Sequence, residues 1–190
     1  MLKKSFQFIP VANPTVGIEE ANAVYRQVKS GWISMGKKVQ EFENKVKKFV
    51  GVKNAIAINN GTSALDALLT ALNISEKDEV IIPSLTYIST ANVVEYKKAK
   101  LILCDSDPRT FNIDEKSLIK KISKKTKLII VTDMKGMPVD YDYYKKLSKK
   151  TKIPIIADSA ESFGAKYKNK IIGSQLLAHT FSFFANKNLT

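Results

Sequence analysis

This sequence predicts an α/β fold, with a mostly parallel sheet held between two layers of helices. Three features predict it. Short runs of β-branched and aliphatic residues recur along the chain, they are apolar throughout rather than alternating, and segments with helical spacing separate them. Strands that are apolar on both faces belong inside a sheet covered on both sides, and a βαβα order makes neighbouring strands parallel. Ligands of such sheets bind beyond the carboxyl ends of the strands, so strand ends are the places to look for chemistry.

Taken in order, residues 1–50 carry an amphipathic stretch over 19–28, a turn-rich passage Ser30-Gly31-Trp32-Ile33-Ser34-Met35-Gly36, and a second amphipathic helix over 38–49. They read as a helical arm or cap ahead of a large domain over 51–190. No repeat, low-complexity stretch or linker interrupts the chain, so one folded unit is the simplest division. Strands are expected at 55–58, 79–83, 100–104, 128–131, 154–157 and 180–184. Helices are expected at 63–72, 91–96, 114–122 and 140–147, the last two opening on Asp114 and Asp140, acids suited to an N-cap.

With 190 residues, 44% of them hydrophobic, the chain can bury a sizeable core, and no apolar run is long enough to span a bilayer. The start, Met1-Leu2-Lys3-Lys4-Ser5-Phe6, is basic, but Pro10, Asn13 and Pro14 interrupt any apolar stretch after it. No signal peptide and no membrane partner are expected, which points to the cytoplasm. Cys104, the single cysteine, has no internal disulfide partner and reads as a small buried hydrophobe. A net charge of +13 invites a nucleic-acid reading. Yet arginine occurs only at Arg26 and Arg109, and the lysines fall in pairs such as Lys120-Lys121 and Lys149-Lys150 on polar helix faces, with no reader motif. A solvated lysine-rich surface is the expectation, without a nucleic-acid partner.

Two charged residues stand at strand mouths. The run Pro154-Ile155-Ile156-Ala157 delivers Asp158, and the run ending Ser182-Phe183-Phe184 leads through Ala185-Asn186 to Lys187. Lysine and acid in this placement suit pyridoxal phosphate chemistry, in which an amine holds the cofactor aldehyde and a carboxylate keeps the pyridine nitrogen protonated. The plainer alternatives are surface charge for Lys187 and a helix N-cap for Asp158. Asn59-Asn60-Gly61-Thr62-Ser63 leaves a strand and opens a helix, either a phosphate cradle of amides and hydroxyls or an ordinary glycine turn capped by Thr62 or Ser63. Tyr87 falls at a strand-to-helix junction, where an aromatic either stacks on a flat ring or serves packing. Glu161 follows Asp158 by about one turn, touching the same ligand or facing solvent. His179, the one histidine, is expected to be structural, and no metal site is expected.

Gly61-Thr62-Ser63-Ala64-Leu65, Pro83-Ser84-Leu85-Thr86-Tyr87, Asp158-Ser159-Ala160-Glu161-Ser162-Phe163-Gly164 and Phe181-Ser182-Phe183-Phe184-Ala185-Asn186-Lys187 follow one another in an order that resembles the DegT/DnrJ/EryC1/StrS family of sugar aminotransferases. The opening Ile9-Pro10-Val11, Ser30-Gly31-Trp32-Ile33, and Gly36 before Glu41-Phe42-Glu43 resemble it too. The likeness runs the whole length and is greatest to the perosamine synthase branch.

The resemblance implies a fold-type I, aspartate aminotransferase-like large domain that binds pyridoxal 5'-phosphate, with a three-layer αβα build. It implies that Lys187 is the Schiff-base lysine and Asp158 the partner of the pyridine nitrogen. Gly61, Thr62, Ser63 and Ser182 would hold the phosphate, Tyr87 would stack on the ring, and Glu161 would sit near the cofactor hydroxyl. The implied reaction moves an amino group from glutamate to a nucleotide-linked 4-keto-6-deoxy sugar for surface polysaccharide, in a homodimer with a shared site. Relatives that dehydrate sugars have His where this chain has Lys187, which favours transamination; a non-catalytic cofactor-binding or regulatory member is the alternative. Asp133-Met134-Lys135-Gly136 replaces the family's His-hydrophobic-Tyr-Gly run, and Leu176-Leu177 replaces its Gly-Asp. The chain stops at Thr190, three residues past Lys187, so a further strand and a smaller C-terminal domain are expected to be missing and residues 1–190 alone to associate and to be inactive.

Overall fold

The computed structural model describes residue 8, residue 10 and residues 12–189. The basic start Met1 to Phe6, and Ile9 and Val11 of the family-like opening, lie outside the described residues. In chain order the elements are α1 (Ile18–Lys29), α2 (Lys37–Val50), α3 (Gly61–Ala71), β1 (Glu79–Pro83), α4 (Ile88–Tyr96), β2 (Lys100–Cys104), α5 (Glu115–Lys121) and β3 (Thr126–Thr132). Then come a 3-10 turn (Met134–Gly136), α6 (Tyr141–Thr151), β4 (Ile155–Asp158), a two-residue-per-strand hairpin β5 (Lys166–Tyr167) and β6 (Lys170–Ile171), and β7 (His179–Thr180).

Five of these strands form a wholly parallel sheet in the order β2-β1-β3-β4-β7. Alternate residues of each strand face opposite helical layers. Ile81, Ile129, Val131 and Ile155 pack with Leu118 of α5 and Tyr141, Tyr144 and Leu147 of α6, while Val80, Ile82, Leu128, Ile130 and Ile156 pack with Leu65 and Leu69 of α3 and Val93 and Val94 of α4. Both faces are therefore core, which is why these runs read as apolar throughout. Each such side chain contributes roughly 1.5–3 kcal/mol on burial. Asp114 and Asp140 cap α5 and α6 as expected, accepting the Ser117 amide and the Asp142 and Tyr143 amides.

The first fifty residues divide differently from one another. Helix α1 buries no residue, and Trp32, Ile33 and Met35 after it are exposed. Helix α2 is docked: Val50 is buried, Phe42 meets Phe183 edge-on, and Phe49 stacks on Phe163. Gly173 makes this close approach possible, since a Cβ there would fall 2.1 Å from Val50 and its φ of +130 lies outside the range most side chains adopt.

Two expectations are corrected and one element is added. Residues 55–58 are not a strand. They alternate, with Ile56 and Ile58 exposed and Ala55 and Ala57 half-buried, but the amide of Ala57 donates to the Glu43 carboxylate rather than to a ladder, and among the described residues no neighbouring strand supplies one. The strand expected over 180–184 shrinks to His179–Thr180, because its neighbour β4 ends at Asp158 and leaves nothing to pair with Phe181 onward. The short hairpin β5–β6 is unexpected; its turn places Lys168 and Asn169 at positive φ, and Asn169 was the local signal for it. Among the described residues no helix is long and apolar enough to cross a membrane.

Candidate active site

At the carboxyl end of the sheet, Asp158 closes β4 beside Thr180 of β7. Its carboxylate is buried and accepts hydrogen bonds from the Thr90 hydroxyl at 2.8 Å and the Ala160 amide at 3.2 Å. Thr90 gives its one proton to Asp158, so in the 2.9 Å contact between Thr86 and Thr90 it is Thr86 that donates. Burial pushes the Asp158 proton affinity up and the nearby Asp133 charge adds to this; the Thr90 and Ala160 hydrogen bonds and the Lys187 charge oppose it. No helix follows Asp158, so the N-cap alternative fails and the bond to Ala160 is a local turn.

Beyond β7 the chain turns, with the Lys187 amide bonded to the Phe184 carbonyl, and brings the Lys187 ammonium 3.3 Å from the Glu161 carboxylate. The other Glu161 oxygen accepts the Lys135 amide at 2.9 Å, from the 3-10 turn in which Lys135 has a φ of 52. Glu161 thus bridges the lysine and the loop after β3. It does not simply face solvent.

The second half of the site is the start of α3. Asn60 rather than Thr62 or Ser63 caps this helix, accepting the Ser63 amide at 2.8 Å, a correction that follows from the helix starting at Gly61, which leaves Asn60 extended at the cap position and puts Thr62 and Ser63 inside the first turn. The Gly61 and Thr62 amides have no hydrogen-bond partner among the described residues, and the Thr62 and Ser63 hydroxyls stand beside them. Ser182 lies against this end: a Cβ built on Gly61 would sit 3.6 Å from the Ser182 Cβ and 3.8 Å from the Phe181 carbonyl. A side chain at position 61 would fill the space between the two segments. Open amides at a positive helix end, bordered by hydroxyls from two elements, suit a phosphate group. Tyr87 stands exposed at the N-cap of α4, its carbonyl accepting the Thr90 amide at 3.0 Å, while among the described residues its side chain makes no hydrogen bond or ring contact with the other site residues. Among the described residues no cluster of His, Cys, Asp and Glu could hold a metal ion.

His179 packs against the Phe181 ring and the Tyr141 ring, with Nδ1 3.0 Å from the Ser159 hydroxyl. Burial lowers its pKa from 6.5 to about 4. The unfolded chain therefore binds a proton that the folded chain refuses over that interval, and stability rises with pH between about 4 and 6.5. From that interval His179 should account for about 3 kcal/mol of stability lost on acidification, and His179→Phe should flatten the dependence of the melting temperature across it. A variant with the wild-type acid slope would show that another group is responsible.

Thr86, Thr90 and Asp133 are absent from the residues expected above as cofactor contacts. Thr90 had a local signal, a polar residue on the buried side of an apolar helix, and Asp133 had the same one as Asp158, an acid directly after an apolar strand.

A family model described as the DegT/DnrJ/EryC1/StrS aminotransferase family matches residues 14–190. The chain belongs to that family. Among curated members of the DegT/DnrJ/EryC1/StrS family, the GDP-perosamine synthase of Caulobacter vibrioides is 43% identical over 183 residues, which are 96% of this chain and 49% of that protein. The GDP-perosamine synthase of Escherichia coli O157:H7 is 41% identical over 185 residues, 97% of this chain and 51% of that protein. The chain spans about half the length of the curated relatives it matches. A candidate sugar aminotransferase of Streptococcus pneumoniae, solved with pyridoxal phosphate, with pyridoxamine phosphate and without either, superposes with a TM-score of 0.92 at 31% identity, over 96% of this chain and half of that one. The α/β fold with its mostly parallel sheet is that of pyridoxal phosphate aminotransferases.

Proposed function

We propose that this chain carries the cofactor-binding residues of a pyridoxal phosphate-dependent aminotransferase that moves an amino group from glutamate to a nucleotide-linked 4-keto-6-deoxy sugar, as a perosamine synthase does. The observation that carries this reading is the convergence of Lys187, Glu161 and Asp158 at the ends of β4 and β7, opposite the open start of α3 beside Ser182. These residues fit the cofactor at both ends. In this reading Lys187 Nζ is the point of covalent attachment, the Asp158 carboxylate holds the pyridine nitrogen, and Gly61, Thr62, Ser63 and Ser182 hold the phosphate. Tyr87 covers the ring and Glu161 lies near its hydroxyl.

Pyridoxal phosphate, when bound, supplies a protonated ring that accepts the electron pair left when a C–H bond next to nitrogen loses its proton. The ionised Asp158 carboxylate would hold the proton at the ring nitrogen through a charge-assisted hydrogen bond, and its buried place, where such a pair is screened little by water, suits it to that task. Thr90 and Ala160 fix the carboxylate in one orientation. Lys187 Nζ takes and returns the substrate proton, and Glu161 aims it.

The sugar assignment is supported by the two GDP-perosamine synthases, and a role in surface polysaccharide by the same likeness together with 37% identity to the Bacillus subtilis spore coat polysaccharide biosynthesis protein SpsC. A second copy of the chain is the proposed partner: exposed Tyr25, Val28, Trp32, Ile33 and Met35 of the arm, with Leu85 and Ile88 near the site, form apolar surface suited to it. A cytoplasmic location accords with a nucleotide-sugar substrate. The test is to incubate the protein at the full length of its curated relatives, rather than residues 1–190 alone, with pyridoxal phosphate, glutamate and a GDP-4-keto-6-deoxyhexose. Equal amounts of 2-oxoglutarate and amino sugar are expected; 2-oxoglutarate with no acceptor among nucleotide keto sugars would overturn the substrate assignment.

A further inference from the structure

Directly after β3, Asp133 lies beside Asp158, its amide donating to the Asp158 carbonyl at 3.1 Å. Its side chain is 1% exposed and is not satisfied locally alone. It accepts from Tyr141 at 2.5 Å, Ser159 at 2.6 Å, the Val139 amide at 3.1 Å and Ser162 at 3.3 Å. Ser159 follows Asp158 and Ser162 follows Glu161, and although the one Ser162 proton also has the Ser159 carbonyl at 3.2 Å, the Asp133 carboxylate stands within reach of the hydroxyl after each of the loop's two acids. From these contacts we infer that Asp133 is a positioning residue, which sets the 158–162 loop so that Asp158 and Glu161 address the cofactor and Lys187 together.

Three further contacts support this. Ser159 has a single proton and spends it on Asp133, so His179 must donate from Nδ1 to the Ser159 oxygen; the loop is thereby tied to β7, the strand that leads to Lys187. The 3-10 turn that offers the Lys135 amide to Glu161 starts at Asp133, and Asn112 holds that turn at both ends, accepting the Met134 amide and donating to the Met137 carbonyl, each at 2.9 Å. Among the described residues the Glu161 carboxylate has one partner besides Lys187, the Lys135 amide, and the turn that offers it is anchored at Asp133. Finally, the negative charge of Asp133 acts at Asp158, raising its proton affinity, and the same charge would favour a cationic ring nitrogen held against that carboxylate. Burial raises the Asp133 pKa as well, against the pull of its hydroxyl donors. The acid at position 133 thus has a role that the departure from the family's His at this place left open.

The inference rests on the proposed function, and its test separates the two. In the full chain, Asp133→Asn keeps the size of the side chain and presents an amide nitrogen to donors that need an acceptor. It should weaken pyridoxal phosphate binding by about tenfold in equilibrium dialysis, as loss of an outer-shell partner does at other sites. It should also change the visible circular dichroism of the bound cofactor, which reports how the ring is held. Ser159→Ala should move the same band in the same direction, and the double variant should add less than the sum. A folded Asp133→Asn with the wild-type dissociation constant and band overturns the inference alone. If that variant does not fold, Ser159→Ala decides: an unchanged band overturns the inference, a shifted one upholds it. A wild-type chain that takes up no cofactor overturns the proposed function itself, and this inference with it.

Discussion

Lys187→Ala should end covalent capture of pyridoxal phosphate. After borohydride treatment, the wild-type full chain should carry the reduced cofactor mass on the peptide containing Lys187, and the variant should carry none. Activity should fall by several orders of magnitude, because in the proposed reading the same amine attaches the cofactor and moves the substrate proton. The fold should survive. Lys187 makes one ion pair, at 3.3 Å to a Glu161 that is 44% exposed, and such a pair contributes about 1 kcal/mol or less. Cofactor mass recovered at the wild-type level on a different lysine would remove Lys187 from the site.

Asp158→Asn should separate activity from stability. An amide cannot hold a proton on the ring nitrogen as a carboxylate does, and a charge-assisted hydrogen bond contributes roughly 1.5–3 kcal/mol, so the turnover number should drop by about 10- to 150-fold. Stability should move the other way. Because burial raises the Asp158 pKa, the folded chain holds a proton more tightly than the unfolded chain, and its stability declines as pH rises through that interval. Asparagine removes the buried charge, so the variant should melt no lower than the wild type at neutral pH. An unchanged turnover number would dismiss Asp158 from the mechanism.

What the sequence makes legible here depends on whether a residue's role is local. Strands β1 and β2 coincide with their apolar runs from first residue to last, and Asp114 and Asp140 cap the helices they precede. Residues 55–58 have the composition of a strand and fail to be one, since a strand also needs a neighbour and no local pattern records one. The same holds for the lost half of the run to Phe184. In the site, Asp158 stands out because it follows a buried run, and Lys187 because it follows a run that reads as apolar in the sequence, although that run is half-buried to exposed. Thr90 does not, because its bond to Asp158 joins residues 68 apart, and Glu161 meets Lys187 and Lys135 across 26 residues in each case. The resemblance to a family pointed to Glu161 without giving its two partners.

The wholly parallel order of the sheet bears on kinetics. Parallel neighbours need crossovers, so their contacts close late and slowly. Thr90, Asp158 and Lys187 meet only after β1, β3, β4 and β7 have taken their places side by side. A half-folded chain would have neither a fixed carboxylate nor an aimed amine. The growth of cofactor absorbance during refolding should therefore trail the recovery of helical signal, making the chromophore a clock for the last long-range step and not for collapse.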